Sequence, residues 1–111
     1  MSIPFQTIDW SQVPAETLAG ASGQITWKTL HVNGLRVRMV EYSAGYIADH
    51  WCQKGHLVHC LEGSFVTEMK DGGSFGLEKG MSYLVSDNLS SHRSVSEHGV
   101  TLLIVDGTFL K

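Results

Sequence analysis

Glycine punctuates this chain at a regular interval, and that interval constrains the fold more than any other feature. Gly34, Gly45, Gly55, Gly63, Gly72 and Gly80 follow one another at steps of 11, 10, 8, 9 and 8 residues. Gly99 and Gly107 repeat the step of 8. Turn signals at this spacing point to a run of short strands, as in an all-β sandwich or barrel.

The segments between the turns agree. Asn33-Gly34 is a strong hairpin signal and joins 25–32 to 35–42. Leu35, Val37 and Met39 alternate with Arg36, Arg38 and Val40. Segments 56–61 and 64–70 are predicted as two strands joined at Glu62-Gly63, and Asp71-Gly72-Gly73 turns the chain into 74–78. Segments 81–85, 91–96 and 100–105 complete nine or ten strands. One helical turn is predicted over 13–18, with Ser11 as its cap and Pro14 early, where proline is tolerated.

At 111 residues the chain is long enough for one core, so a single domain is expected, 1–111, with an N-terminal arm over 1–20 and a barrel over 24–107. A hydrophobic fraction of 42% and a charged fraction of 17% argue against disorder. The net charge of -3 comes with no basic stripe, so a nucleic-acid partner is not expected. No apolar run approaches the ~20 residues of a membrane helix, so no membrane partner is expected. Segment 1–10 lacks the pattern of a signal peptide, and the expected location is cytoplasmic. Cys52 and Cys60 are too few for a disulfide scaffold, and no CxxC is present.

Histidine is the residue type that stands out, and the chemistry is sought there. His50 and Cys52, two apart, would share one face of a strand and reach one metal. His56 follows a bend at Lys54-Gly55 that can re-aim it toward the same centre. His92 opens a later strand that a closed barrel can bring alongside. The alternative is an ordinary buried His and Cys pair, since free cysteine is among the most buried residue types.

The run Gly45, His50, Cys52, His56, Gly63 resembles the first cupin motif, which pairs two histidines with a glutamate between glycines. Here the first gap is one residue shorter, Cys52 takes the second histidine position and His56 the glutamate position. Gly80 to His92 resembles the second motif, although its proline and asparagine are missing; Ser86 and Ser96 stand near those places. Asp49-His50-Trp51-Cys52 holds the four residue types of a "DHCW motif", here in the order D-H-W-C, and with its flanks resembles, nearly end to end, the group of small single-domain cupins labelled by it. The resemblance implies an all-β cupin, a double-stranded β-helix of the jelly-roll kind, with a divalent transition metal held by His50, Cys52, His56 and His92, and a homodimer. The thiolate favours zinc and leaves iron, nickel or copper open. No catalytic residue is assigned.

Arg36, Arg38 and Tyr83 are the candidate substrate-binding residues. The two arginines share a face and could hold an anion together; the competing expectation is the solvated side of a strand. Cys60 is expected in the core, His59 on the outer face, and His31 and His98 in solvent. Asp49 and Trp51 are expected to point away from His50. Glu62, Glu68 and Tyr83 are the only candidates for a general acid or base, with no carboxylate clearly inward. Two functions compete: a metal-dependent enzyme acting on a small polar molecule, and a non-catalytic metal or small-ligand binding module with a structural or sensory site.

Overall fold

The computed structural model describes residues 2–111, so Met1 of the expected arm lies outside it. Nine strands follow in chain order: β1 (Glu16–Ala19), β2 (Gln24–Val32), β3 (Leu35–Tyr42), β4 (Tyr46–Ile47), β5 (His56–Met69), β6 (Ser74–Glu78), β7 (Ser82–Val85), β8 (His92–Ser96) and β9 (Val100–Gly107). All pairings are antiparallel, and the hydrogen-bonded order is β1-β2-β3-β9-β5-β8-β4, with β6 and β7 also on β5.

The hairpin at Asn33-Gly34 forms as expected. Asn33 has φ 46° and Gly34 φ 83°, the left-handed pair that suits a two-residue turn between twisted strands. Val32 pairs with Leu35 across it.

Two expectations are corrected. Residues 13–18 do not form a helical turn. A single 3-10 turn spans Trp10–Gln12 instead, and Asp9 rather than Ser11 caps it, accepting from the Ser11 amide at 3.0 Å and hydroxyl at 2.6 Å. Val13, before Pro14, is extended at φ -87°, ψ 127°, and the residues that follow are taken by β1, whose Glu16–Ala19 pair with Trp27 to Gln24 of β2. The second correction is β5. Segments 56–61 and 64–70 belong to one strand, 14 residues long, and Glu62-Gly63 is a bulge inside it rather than a turn.

That bulge organises the barrel. Up to Cys60, β5 pairs with β9 and β7; beyond Gly63 it pairs with β6 and β8. One extra residue at Leu61 flips the side-chain alternation. His56, Val58 and Cys60 face inward before it, Phe65 and Thr67 after it. Without the shift, Glu62 and Val66 would point into the core.

The core is Val40, Tyr42, Tyr46, Val58, Cys60, Phe65, Leu77, Val100, Leu102 and Ile104. Tyr42 stacks on Tyr46 with ring centroids 4.3 Å apart. The β3–β9 register sets Arg36 opposite Asp106, Arg38 opposite Ile104 and Val40 opposite Leu102. Arg36 and Arg38 therefore lie on the inner face with the core, which corrects the solvated reading of that alternation. Among the described residues no helix is long and apolar enough to cross a membrane.

Candidate functional site

A cavity of about 160 Å³ opens inside the curled sheet, and Arg38, Tyr42, Tyr46, Cys52, His56, Tyr83 and His92 line it. His56 starts β5 and His92 starts β8, both on inward positions and both buried. Their Nε2 atoms are 3.1 Å apart, and the Tyr83 hydroxyl is 2.9 Å from His56 Nε2. At most one proton can lie between the two nitrogens. Ser90 Oγ, 2.8 Å from His92 Nδ1, fixes that ring from behind. His56 Nδ1 is buried with no hydrogen-bond partner and faces Asp106 Oδ2 at 3.9 Å.

The imidazoles are neutral at ordinary pH. Burial pushes His56 down to about 4, with the neighbouring His92 adding to it and Asp106 working against it. Burial also lowers His92. Burial raises the Tyr83 hydroxyl, so it stays protonated. Neutral imidazole is the metal-binding form.

Cys52 is brought to His92 by the backbone. The two residues exchange amide–carbonyl hydrogen bonds of 2.7 and 2.9 Å as an isolated bridge. Directly paired residues of an antiparallel bridge put their side chains on one side. Both cysteines are free thiols, and Cys60 is in the core as expected.

His50 behaves differently. The chain between Ile47 and His56 is not a strand, so the two-residue spacing to Cys52 does not align them. His50 touches the cavity mouth, but its side chain is 77% exposed and its Nδ1 is 2.6 Å from Asp49 Oδ1. Asp49 therefore meets His50 instead of pointing away, and that contact holds its carboxyl below the usual range. Among the described residues no three His, Cys, Asp or Glu side chains gather closely enough to hold an ion. The donors suit a transition metal in kind, two imidazoles and a thiol. In position, only His56 and His92 converge.

Behind the histidines lies a charge cluster. Arg36 grips Asp106 with Nε on Oδ1 and a terminal nitrogen on Oδ2, both at 2.8 Å. Arg38 reaches Oδ2 only at 3.5 Å, and its Nε is buried without a partner. Burial raises the Asp106 carboxyl, but the Arg36 fork, Arg38 and His56 outweigh it and hold it below the usual range. Asp106 is the inward carboxylate that the sequence reading missed. Its signal was available: Val100, Leu102, Ile104 and Asp106 occupy one parity of β9, all buried. Glu62 and Glu68 are not in the cavity; they pair with Lys79 at 3.0 Å and Arg93 at 2.8 Å. His59 bonds Ser82 Oγ at 2.7 Å, and Trp51 packs under the Arg93 guanidinium, 4.6 Å from its ring centroid.

No protein-family model matches the sequence, and no curated protein matches it. Solved structures do. The polyketide cyclase RemF from Streptomyces resistomycificus is 18% identical with TM-score 0.77, over 92% of this chain and 78% of that one. A predicted oxalate decarboxylase from Thermotoga maritima is 14% identical with TM-score 0.76, over 90% and 96%. A cupin-2 domain from Rhodospirillum rubrum is 14% identical with TM-score 0.73, over 96% and 78%. At these identities the likeness speaks for the fold. With nine antiparallel strands curled around a cavity, the chain has the cupin jelly-roll fold.

Proposed function

We propose that the barrel binds one divalent transition metal through His56 and His92, with Cys52 and His50 completing the set, and that it acts on a small molecule in the adjoining cavity. The observation that carries this is the 3.1 Å approach of the two buried Nε2 atoms, neutral and aimed into the cavity beside Cys52. The Asp49-His50-Trp51-Cys52 run, resembling the "DHCW motif" cupins, supports the same four residues. Thiolate among the ligands favours zinc, with iron, nickel or copper as alternatives. A bound ion would supply Lewis-acid polarisation of a substrate oxygen. The chain's own part is positional. Ser90 holds His92 through Nδ1 and leaves its Nε2 free, the Tyr83 hydroxyl stands beside His56 Nε2, and Ile25, Val58, Leu102 and Ile104 give the cavity an apolar wall.

A non-catalytic binding module has one observation on its side. The cavity lining carries no carboxylate, and the inward Asp106 is locked by Arg36. Elemental analysis of untagged protein, purified without chelators, tests the metal. One ion per chain is expected, lost in a Cys52→Ser, His92→Ala double variant; no metal in folded protein would overturn the ligand set. Exchangeable water on the bound ion would favour the enzyme, and a closed site the module. A cytoplasmic homodimer is part of the same reading. The free thiols suit a reducing compartment, and the edge strand β1 with exposed Leu18 suits pairing between copies. Light scattering in solution tests the dimer.

A further inference from the structure

The barrel cavity is lined by a guanidinium, that of Arg38, whose one carboxylate contact is long and shared. Arg36 and Arg38 share Asp106, and Arg36 takes both of its oxygens at 2.8 Å. Arg38 keeps one long contact at 3.5 Å, while its Nε is buried and unpartnered and its side chain is 19% exposed. Two cations and one anion leave a surplus of one positive charge on the inner face. Such a charge is costly unless something pairs with it. Burial, and then Arg36, push the Arg38 guanidinium below its ordinary range, as expected of a cation short of a partner. The cavity lining offers no carboxylate. Cys52 lines the same cavity, and among the described residues it makes no hydrogen bond to Arg38.

Arg38 also borders a groove on its other side, beside Arg36, His31 and Glu16. An anion there would meet the Glu16 carboxylate. In the cavity it would meet none, and the wall there is Ile25, Val58, Leu102 and Ile104 with the Tyr42–Tyr46 stack. The volume of about 160 Å³ is close to that of a cavity known to take benzene, so the occupant has about six to nine non-hydrogen atoms.

We propose that the cavity binds a small monocarboxylate with an apolar or aromatic body, its carboxylate on Arg38 and its body against the apolar wall. A planar guanidinium matches a carboxylate edge, and a single surplus charge matches a monoanion. Arg36 is the positioning residue. By occupying Asp106 it leaves the Arg38 guanidinium free. This deepens the proposed function by naming the ligand class, and it rests on that cavity being the ligand site, not on the metal.

Isothermal titration with benzoate, its neutral isostere benzamide, and inorganic phosphate tests the assignment, on protein as purified and after chelation. Benzoate is expected to bind both preparations. Benzamide should bind about thirtyfold more weakly, and Arg38→Met should weaken benzoate by a similar factor. Arg38→Lys should keep part of the affinity. Equal binding of benzamide, tighter binding of phosphate, undiminished benzoate binding by folded Arg38→Met, or benzoate binding only to metal-loaded protein would each overturn the proposal. So would silence of benzoate on folded wild-type protein. If Arg38→Met does not fold, the benzoate and benzamide comparison on the wild type still decides. Should elemental analysis find no metal while benzoate still binds, this proposal would stand and the metal assignment would fail.

Discussion

Asp106 is 2% exposed in its side chain, and it sits where three nitrogenous groups converge: Arg36, Arg38 and, at 3.9 Å, His56. Removing its charge would leave Arg36 and Arg38 facing each other without an anion. Breaking a buried pair on one side costs about 3 kcal/mol or more. Asp106→Asn is therefore expected to lower unfolding stability by about 3 kcal/mol, read from urea midpoints at constant slope. A loss below about 1 kcal/mol would mean that solvent screens the cluster. His56 gives the molecule an acid sensitivity of its own. Its folded pKa is pushed down to about 4 from 6.5. Between those values the unfolded chain binds the proton and the folded chain does not, so stability falls as pH drops through that window. Asp106 acts lower. Its folded pKa lies below 3.8, so its contribution is present above that value and lost as pH falls through the folded one. Urea melts of metal-free protein across the upper window should show the decline, and His56→Gln should flatten it. An unchanged slope in that variant would assign the acid sensitivity to other groups.

At the scale of the element, β5 shows how far turn signals carry. Gly63 has φ 82°, and a Cβ there would collide with the Gly99 carbonyl oxygen. Both a turn and a bulge ask for such a glycine, so Glu62-Gly63 reads the same in either case. What separates them is not local: the two halves of β5 pair with different partners. The Asn33-Gly34 hairpin was legible because its whole cause lies in two residues and the alternation beside them. The predicted helical turn at 13–18 failed for a reason outside the segment: Pro14 bars only Val13 from a helix, and it is pairing with β2 that draws Glu16–Ala19 into a strand. Gly63→Ala is expected to cost about 3 kcal/mol, combining left-handed strain with the clash. Gly76→Ala in β6, where a Cβ has open space, should stay within about 0.5 kcal/mol. Chemical denaturation of the pair checks both, and equal costs would mean that the bulge relaxes freely.

Over the whole molecule, the curl of the sheet makes neighbours of distant residues: Arg36 of Asp106, His56 and Cys52 of His92. The cupin-like motif names His56, Cys52 and His92 together, and the structure sets each at a strand start or bridge with all three lining one cavity. The two-residue spacing of His50 to Cys52 aligns side chains only within a strand, and 48–55 is loop, so it does not align these two. The sequence reading passed over Asp106 because a carboxylate at the end of an apolar alternation looks like a strand terminus rather than an inner wall. An ion held by this group would bridge β5, β8 and the 48–55 loop, segments that separate only when the barrel opens. Its binding energy should therefore appear in global stability. At a hundredfold excess over its Kd, a ligand of the native state adds about 2.7 kcal/mol, which for a domain of this size is roughly 10 °C in Tm. Chelation should lower the melting temperature by about that much and readdition should restore it, while the Cys52→Ser, His92→Ala double variant should melt at one temperature throughout. A shift that persists in the double variant would place the ion elsewhere on the chain.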